Sequence, residues 1–308
     1  CRAAPTLAEA APGPRPPSSA PAPAPEPDAP HILDIGESHI RIDFEPEDFP
    51  SPTAPVLAWI ERCARAVAGY YGSFPVPWLA ITVRSSMGEG IHGGQAFPTS
   101  PPTISVSVGE RASTADFENN WSMTHEMVHL AFPNVPSKHL WIEEGLATFV
   151  EPIARARAGW LKEDDVWAEW IENMPQGQPK PSDGGLDGTE DWGRTYWGGA
   201  LFCLVASVEL LEHSGGRHSL DDALRAIVAA GGSISQSWPL ERALRAGDAV
   251  TEASVLLDTY TAMKDAPVPV DLDGLWRKLG VALEGRKVRY DDAAPLASAR
   301  RAIIAGRR

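Results

Sequence analysis

The spacing of hydrophobic positions changes once along the chain. In the first part, apolar and polar residues alternate over three short segments, which is the pattern of half-buried β-strands. Residues 31–46 are predicted to form a hairpin, and residues 78–86 and 103–109 are predicted to form single strands. Between the hairpin and the next strand, residues 53–71 repeat their apolar positions at helical spacing, so this segment is predicted to be a helix.

In the second part, apolar residues recur every three or four positions, which is the period of amphipathic helices. A loop rich in Gly, Pro and Asp interrupts them at 175–191, and 286–306 is predicted to hold a short strand and a last helix. Strands followed by helices predict an α+β fold with a sheet lobe at 31–112 and a helical lobe at 113–308. The predicted helices are 114–132, 142–159, 163–173, 192–213, 218–230, 235–246, 251–264 and 271–279.

Composition narrows the class of protein. Apolar residues make up 43% of the chain and charged residues 22%, which is ordinary for a soluble globular protein. The net charge of −14 argues against a nucleic-acid partner, because such proteins present a basic face. The longest apolar run, residues 200–211, is shorter than the roughly 18 residues of a membrane span and contains Glu209, so a buried helix is predicted.

The first thirty residues differ from the rest. They contain ten prolines and nine alanines, a composition predicted to form a disordered tether. Cys1 followed by this linker resembles a bacterial lipoprotein after signal-peptide removal, with the thiol carrying a lipid as the only membrane attachment. Arg2 resembles the outer-membrane sorting pattern, so a cell-envelope location is expected. The alternative is that the chain was simply trimmed there.

The other two cysteines, Cys63 and Cys203, lie in apolar helical segments. Small buried thiols are the ordinary expectation for such positions. A disulfide between them remains an alternative, because sequence alone does not show their separation. Neither lies in a C-x-x-C spacing, which argues against metal binding by either thiol.

The helix predicted over 114–132 contains the main chemical motif. Ser113 followed by Asp116 is typical of a capping box at a helix start, and Pro133 ends the segment. His125 and His129 are four residues apart, which places both imidazoles on one face at roughly 5–6 Å between their Cβ atoms. Two such nitrogens supply half of a tetrahedral zinc site.

Glu126 follows the first histidine directly, so its carboxylate lies beside the expected metal without binding it. This is the position from which a general base takes a proton from zinc-bound water. The motif His-Glu-x-x-His is therefore interpreted as a metal-dependent hydrolytic site rather than as two unrelated core histidines.

A third ligand must come from elsewhere in the chain. The metzincin pattern fails, because Phe132 and Val135 occupy the positions of its glycine and third histidine. The next segment, 139–151, offers Glu143 and Glu144 near a helix start. These acids also suit the positive end of the helix dipole, which is the simpler explanation for them.

The combination of HEMVH with WIEEGLATFVE resembles the gluzincin metallopeptidases, especially the aminopeptidase-N and glycyl-aminopeptidase branches. The resemblance implies a thermolysin-like zincin fold and one Zn²⁺ per chain. It implies that Glu144 is the third zinc ligand, with Glu143 beside the site. It also implies that Tyr196, in RTYWGGALFCL, donates a hydrogen bond to the oxyanion of the reaction.

The sequence departs from that family in three ways. The connection from His129 to Glu144 is short, so a tight loop is expected, and the chain has no room for the large flanking domains. The G-x-M-E-N segment that binds a substrate's free amino end is absent. The glycine-rich segment 87–97 is predicted to be a loop and ends in GGQAF. This GGQAF stretch is expected to take the place of G-x-M-E-N, but it lacks the glutamate of that segment. The strand at 103–109 is expected to lie along the cleft and pair with an extended substrate.

These features predict a zinc-dependent peptidase acting on a peptide or protein substrate. One alternative is a catalytically inactive lipoprotein that keeps a zincin fold as a binding platform at the cell envelope. Another is a structural helical domain without a metal. The sequence does not indicate the substrate sequence, endo- or exopeptidase action, or the oligomeric state.

Overall fold

The structure is a computed structural model that describes residues 30–46, 49–50 and 52–306. The predictions made for the Pro/Ala-rich segment and for Cys1 lie outside the described residues. The predicted organisation of a sheet followed by helices is confirmed, with one small hairpin added near the end of the chain.

Five strands form a mixed sheet in the order β1-β2-β3-β5-β4. The hairpin β1–β2 is antiparallel, β3 runs parallel to both β2 and β5, and β4 runs antiparallel to β5. Alternate residues of β2, β3 and β5 are buried, so the predicted hairpin and both predicted strands are confirmed. The bounds are β1 His31–Ile35, β2 Ser38–Glu45, β3 Trp78–Ser86, β4 Ile91–Phe97 and β5 Thr103–Gly109.

Strand β4 corrects two predictions. Residues 87–97 are not simply a loop, because residues 91–97 form a strand that pairs with β5, with a register shift between Ile91 and Gly94. Gly93 in this shift has a φ of +107°, which L side chains rarely adopt, so the glycines allow the irregular strand rather than prevent a strand. Strand β5 is flanked by β3 and β4, so the expectation that it borders the cleft is wrong. The edge strands are β1 and β4, and β4 is the one that lines the cleft.

The first helix, α1 (Thr53–Tyr71), covers the apolar interior and packs against β1, α3 and α4. Its buried face includes Trp59, Ile60 and Val67, which belong to one hydrophobic core shared by the sheet and the helices. Gly72 ends the helix in the left-handed conformation and donates its N–H to the carbonyl of Ala68, as expected for a glycine cap.

The helix predicted over 114–132 is divided. Its start is confirmed, because Ser113 and Asp116 form the capping box of α2, but that helix ends at Glu118. The chain turns at Asn120, whose side-chain oxygen accepts hydrogen bonds from the N–H and hydroxyl of Ser122 at 2.9 and 2.6 Å. This local bond competes with continuous helix. The motif therefore lies on a separate short helix, α3.

The remaining helices match the predicted segments with shifts of a few residues, the largest at α8. A two-stranded hairpin, β6–β7, lies just before the last helix. None of the helices among the described residues combines the length and the hydropathy that a membrane span requires. The bounds are α2 Thr114–Glu118, α3 Ser122–His129, α4 Leu140–Arg157, α5 Glu163–Asn173, α6 Trp192–His213, α7 Leu220–Ala229, α8 Leu240–Thr251, α9 Val255–Met263, α10 Leu272–Leu279, β6 Val281–Glu284, β7 Lys287–Tyr290 and α11 Ala297–Ala305.

Cys63 on α1 and Cys203 on α6 are both buried and unpaired, so the disulfide alternative is wrong. Burial raises the pKa of Cys63 to about 12 and raises that of Cys203 as well. Both residues act as small apolar core side chains.

Candidate metal centre

Helix α3 places the two motif histidines side by side. Their ring centroids are 4.9 Å apart, and the rings meet nearly edge to face. The side chain of His125 is 6% exposed and that of His129 is 14% exposed, so both are sheltered but accessible from one side. The predicted placement of His125 and His129 on one face of a helix is thus what the structure shows.

Glu144 on α4 reaches both imidazoles. Its Oε2 lies 3.2 Å from Nε2 of His125 and 3.7 Å from Nε2 of His129, and one ligand atom from each residue lies within 4.8 Å of the others. Two ligands bound to zinc at about 2.0–2.1 Å in tetrahedral geometry lie roughly 3.3–3.4 Å apart. The three side chains therefore fit a zinc ion, and the donor set of two nitrogens and one carboxylate leaves a fourth position for water.

Glu143, the residue before Glu144, holds the loop between α3 and α4. Oε1 of Glu143 accepts a hydrogen bond from the backbone N–H of Val135 at 2.9 Å. The loop then forms a 3-10 turn, Ser137–His139, that leads directly into α4. Burial raises the pKa of Glu143. Glu143 lies beside the ligand and does not join the three atoms that converge.

Close packing of α4 on α6 brings Tyr196 to the same place. The helices cross at Gly145 and Gly199, where a Cβ on Gly199 would overlap the carbonyl oxygen of Trp141 and lie 2.7 Å from the Cα of Gly145. Only glycines permit this approach. Glu144 lies directly before Gly145, and Tyr196 lies three residues before Gly199. The close crossing of the two helices therefore brings the side chains of Glu144 and Tyr196 together.

The ring of Tyr196 lies in a row of aromatic rings. It stacks on Trp192 at 4.8 Å between centroids and lies nearly parallel to His125 at 6.3 Å. Burial, followed by the charge of Glu144 and a hydrogen bond to it, raises the pKa of Tyr196 to about 12. The hydroxyl therefore stays protonated at neutral pH and can donate a hydrogen bond.

Glu126 points from α3 towards the sheet edge. Its Oε2 accepts a hydrogen bond from the N–H of Ala96 on β4 at 2.8 Å. A Cβ on Gly94 would lie 2.9 Å from Cγ of Glu126, so this glycine makes room for the carboxylate. Burial raises the pKa of Glu126, although the charge of His125 opposes this shift. The contact with β4 was missed because that segment was predicted to be a loop.

The protonation states suit a divalent metal. Burial lowers the pKa of His129 to about 4, so its imidazole is neutral at pH 7. Burial by itself would raise the pKa of Glu144, but the hydrogen bond to His125 and the two imidazoles bring it below the usual value. Neutral histidines and an ionised carboxylate are the forms that bind zinc.

These side chains line a cleft of about 520 Å³ between β4 and the helices. Gly94 and Ala96 of the edge strand form part of one wall. Phe132, Leu140 and Ile234 provide apolar surface near the loop that follows α3. The cleft is therefore large enough for a few residues of an extended chain.

The loop at 175–191 does not line this cleft. Instead, Asp187 joins three elements around the start of α4. It accepts hydrogen bonds from Trp141 and Tyr260 at 2.9 and 2.8 Å, and its Oδ1 lies 2.8 Å from Nδ1 of His139. No signal in the sequence indicated this cluster. It fixes the helix that carries Glu144 and leaves His139 outside the metal centre.

No protein-family profile matches the sequence, and no curated protein matches it in sequence. Solved structures do match. An aminopeptidase N family protein from Idiomarina loihiensis superposes with a TM-score of 0.62 at 12% identity, covering 83% of this chain and 50% of that protein.

Two further similar structures have TM-scores below 0.5. They are an M1 zinc metallopeptidase from Deinococcus radiodurans (0.46, 15% identity, 78% and 53% coverage) and yeast LTA4 hydrolase (0.48, 14% identity, 78% and 40% coverage). The chain thus spans about half the length of the Idiomarina loihiensis and Deinococcus radiodurans proteins and 40% of yeast LTA4 hydrolase. The likeness to the aminopeptidase N family protein shows the fold, so the predicted α+β architecture of a sheet lobe followed by a mostly helical lobe is confirmed.

Proposed function

We propose that this protein is a zinc-dependent peptidase. The observation that carries the proposal is the convergence of His125, His129 and Glu144 on one point of an open cleft. Beside that point lie a carboxylate, Glu126, and a protonated phenol, Tyr196. The fold shared with an aminopeptidase N family protein supports the same reaction class.

The three ligands would hold the metal with their nitrogens and one carboxylate oxygen. A zinc ion there would supply Lewis-acid chemistry, lowering the pKa of a water molecule and polarising the peptide carbonyl. The pKa of His129 is lowered by burial to about 4, so this imidazole offers a lone pair at pH 7 without first losing a proton.

Glu126 would act as the general base and then as the general acid. Its Oε2 is held by the Ala96 N–H, so Oε1 is the atom available to accept a proton from the attacking water. The same atom would then deliver the proton to the leaving amine. Burial, which raises the pKa of this carboxyl, makes it a better proton acceptor than an exposed glutamate.

Tyr196 would donate a hydrogen bond to the oxyanion that forms when the carbonyl is attacked. Its ring is held in place by stacking on Trp192 and lies nearly parallel to His125, so only the hydroxyl would have to turn from Glu144 to the oxyanion. Gly94, on the outer edge of β4, would align an extended substrate by backbone pairing.

The test is zinc content together with cleavage of a peptide library by wild type and Glu126→Gln. We expect one zinc per chain in both proteins and a fall in cleavage of about 10²–10⁴-fold in the variant. Glu212→Gln, an exposed position on α6, is the matched control and should cleave like wild type. Unchanged cleavage by Glu126→Gln would remove Glu126 from the mechanism.

The same experiment separates the alternative functions. A wild-type chain that binds zinc and cleaves no peptide would indicate a binding platform. A chain that binds no zinc would indicate a structural domain, and the peptidase proposal would fail.

A further inference from the structure

The cleft contains one acidic side chain more than the proposed chemistry uses. Glu126, Glu143 and Glu144 line it, and no lysine or arginine does so among the described residues. Glu144 faces the two histidines, and Glu126 is the proposed base. Glu143 has no part in the reaction as described above.

Glu143 is fixed by one oxygen and open at the other. Oε1 accepts the Val135 N–H, which sets the direction of the carboxylate. Oε2 has neither a hydrogen-bond nor an ion-pair partner within the described part of the chain, and it is not sealed from solvent. A half-buried carboxylate without a cation nearby is costly unless something pairs with it during function.

The charges in the cleft also favour a cationic group as the partner of Glu143. An ionised Glu143 adds a negative charge to the cleft, and among the described residues both histidines pair with Glu144 rather than with Glu143. In a sheltered site this charge acts at a lower effective dielectric than water provides, so it favours a cationic group more strongly than an exposed acid would.

The surroundings of Glu143 suit a cation attached to an apolar chain. Phe132, Leu140 and Ile234 line the same cleft, and Leu140 is 46% exposed. Ile234 is joined to the end of α3 by a hydrogen bond from its N–H to the Leu130 carbonyl. Apolar surface beside a carboxylate is the environment in which lysine and arginine side chains bury their stems.

We propose that Glu143 is a specificity residue that binds a cationic group of the peptide substrate. This inference rests on the proposed peptidase function. The cation has two chemical sources, a lysine or arginine side chain and the substrate's terminal ammonium. Both would form a charge-assisted hydrogen bond with Oε2.

The variant Glu143→Gln isolates the charge. Its amide oxygen still accepts the Val135 N–H, so the loop stays in place while the negative charge is removed. Four peptides of one length make up the probe set, with lysine or norleucine at the central position and a free or acetylated N-terminus. Dissociation constants are measured on the zinc-loaded Glu126→Gln protein with and without Glu143→Gln, because that background prevents turnover.

We expect the preference for a cationic peptide over its neutral partner to fall at least about tenfold when Glu143 is changed. A loss confined to the lysine/norleucine pair identifies the side chain as the source, and a loss confined to the free/acetylated pair identifies the terminal ammonium. Glu172→Gln, an exposed acid on α5, is the control and should leave both preferences unchanged. Equal preferences with and without Glu143→Gln would overturn the inference and leave Glu143 as a support for the loop.

The experiment distinguishes failure of the Glu143 inference from failure of the proposed peptidase function. A wild type that cleaves peptides but shows no preference within either pair overturns this inference alone, and it does so even if Glu143→Gln fails to fold. A wild type that neither binds nor cleaves any of the peptides overturns both proposals. Zinc content, measured on every protein, shows whether a loss of binding comes from a lost metal.

Discussion

The two halves of helix α4 place the same residue type in opposite surroundings. Near its start, Glu144 faces the cleft between His125 and His129, and its pKa lies below the usual value. Two turns later, Glu151 is buried and pairs with Arg155 at 2.8 Å, and burial raises its pKa to about 7.

The difference shows what separates the proposed metal ligand from a structural acid. Glu144 faces two imidazoles that share access to the cleft, so an ion can reach all three side chains. Glu151 faces a fixed cation, Arg155, whose guanidinium lies over the ring of Trp160 at 4.9 Å. The cleft half of α4 is therefore open to chemistry, and the buried half holds the fold.

The comparison is tested most strongly at Tyr196, which lies on α6 and contacts Glu144 in the cleft. Tyr196→Phe keeps the ring that stacks on Trp192 and removes only the hydroxyl. We expect the turnover number for peptide cleavage to fall about 10²–10³-fold, the usual cost of losing one oxyanion donor. The midpoint of thermal unfolding should stay close to that of wild type.

Tyr260→Phe is the matched control for Tyr196→Phe. It removes a tyrosine hydroxyl outside the cleft, which donates a hydrogen bond to Asp187 at 2.8 Å. It should lower the free energy of unfolding by about 1 kcal/mol. Its turnover number should change far less than that of Tyr196→Phe. Equal turnover losses in both variants would contradict a catalytic role for Tyr196.

The crossing of α4 and α6 links the two regions. Gly199→Ala places a methyl group on the Trp141 carbonyl oxygen, so the helices must separate. We expect the free energy of unfolding, measured by urea titration, to fall by about 3 kcal/mol. Gly69→Ala on α1, where a Cβ meets nothing within 4 Å, should instead stabilise slightly. Tolerance of Gly199→Ala would contradict the close crossing.

The pH dependence of stability reports on the buried half. The pKa of Glu151 rises from 4.5 to about 7 on folding, so the folded state binds more protons between these values and Glu151 makes stability fall as pH rises. In metal-free protein, His129 acts in the opposite direction between about pH 4 and 6.5. Glu151→Gln removes the contribution of Glu151 to the pH dependence of stability and leaves that of His129.

We therefore expect the free energy of unfolding of metal-free Glu151→Gln to rise with pH relative to wild type. The gain between pH 5 and pH 7 should be roughly 2 kcal/mol. Urea titrations in the presence of a chelator measure this difference. Parallel profiles for the two proteins would show that Glu151 is ionised with its ordinary pKa in the fold.

The smallest expected effect concerns the buried thiols. Cys63 and Cys203 are unpaired and their pKa values are raised by burial, so neither forms a reactive thiolate near neutral pH. Iodoacetamide at pH 8 should leave both unmodified in the folded protein, as read by peptide mass. Reducing agent should not move the unfolding midpoint. Rapid labelling of either thiol would show that the buried region opens.

The local part of the metal centre could be predicted from sequence because helical geometry fixes it. His125, Glu126 and His129 lie within little more than one turn, so their relative positions follow from the backbone alone. Glu144 required the packing of α4 on α3, which no local pattern encodes, and its assignment came from resemblance to a family. The partner of Glu143, the Val135 N–H, was not foreseeable for the same reason.

The wrong predictions also have physical causes. Residues 91–97 have strand-forming side chains only at their two ends, Ile91 and Phe97, and pairing with β5 overrides the weak propensity of the residues between them. The break before α3 arises because the Asn120 side chain bonds to the Ser122 N–H, a choice that apolar periodicity does not reveal. The first error hid the contact between Glu126 and the sheet edge, and with it the wall of the cleft.

That His125, His129 and Glu144 hold one zinc ion is tested most directly by zinc content after equilibrium dialysis. Wild type, Glu144→Ala and Glu151→Gln are compared at the same free zinc concentration. We predict one zinc per chain in wild type and in Glu151→Gln, and almost none in Glu144→Ala. Full zinc occupancy in Glu144→Ala, or none in wild type, would contradict the metal centre proposed for this cleft.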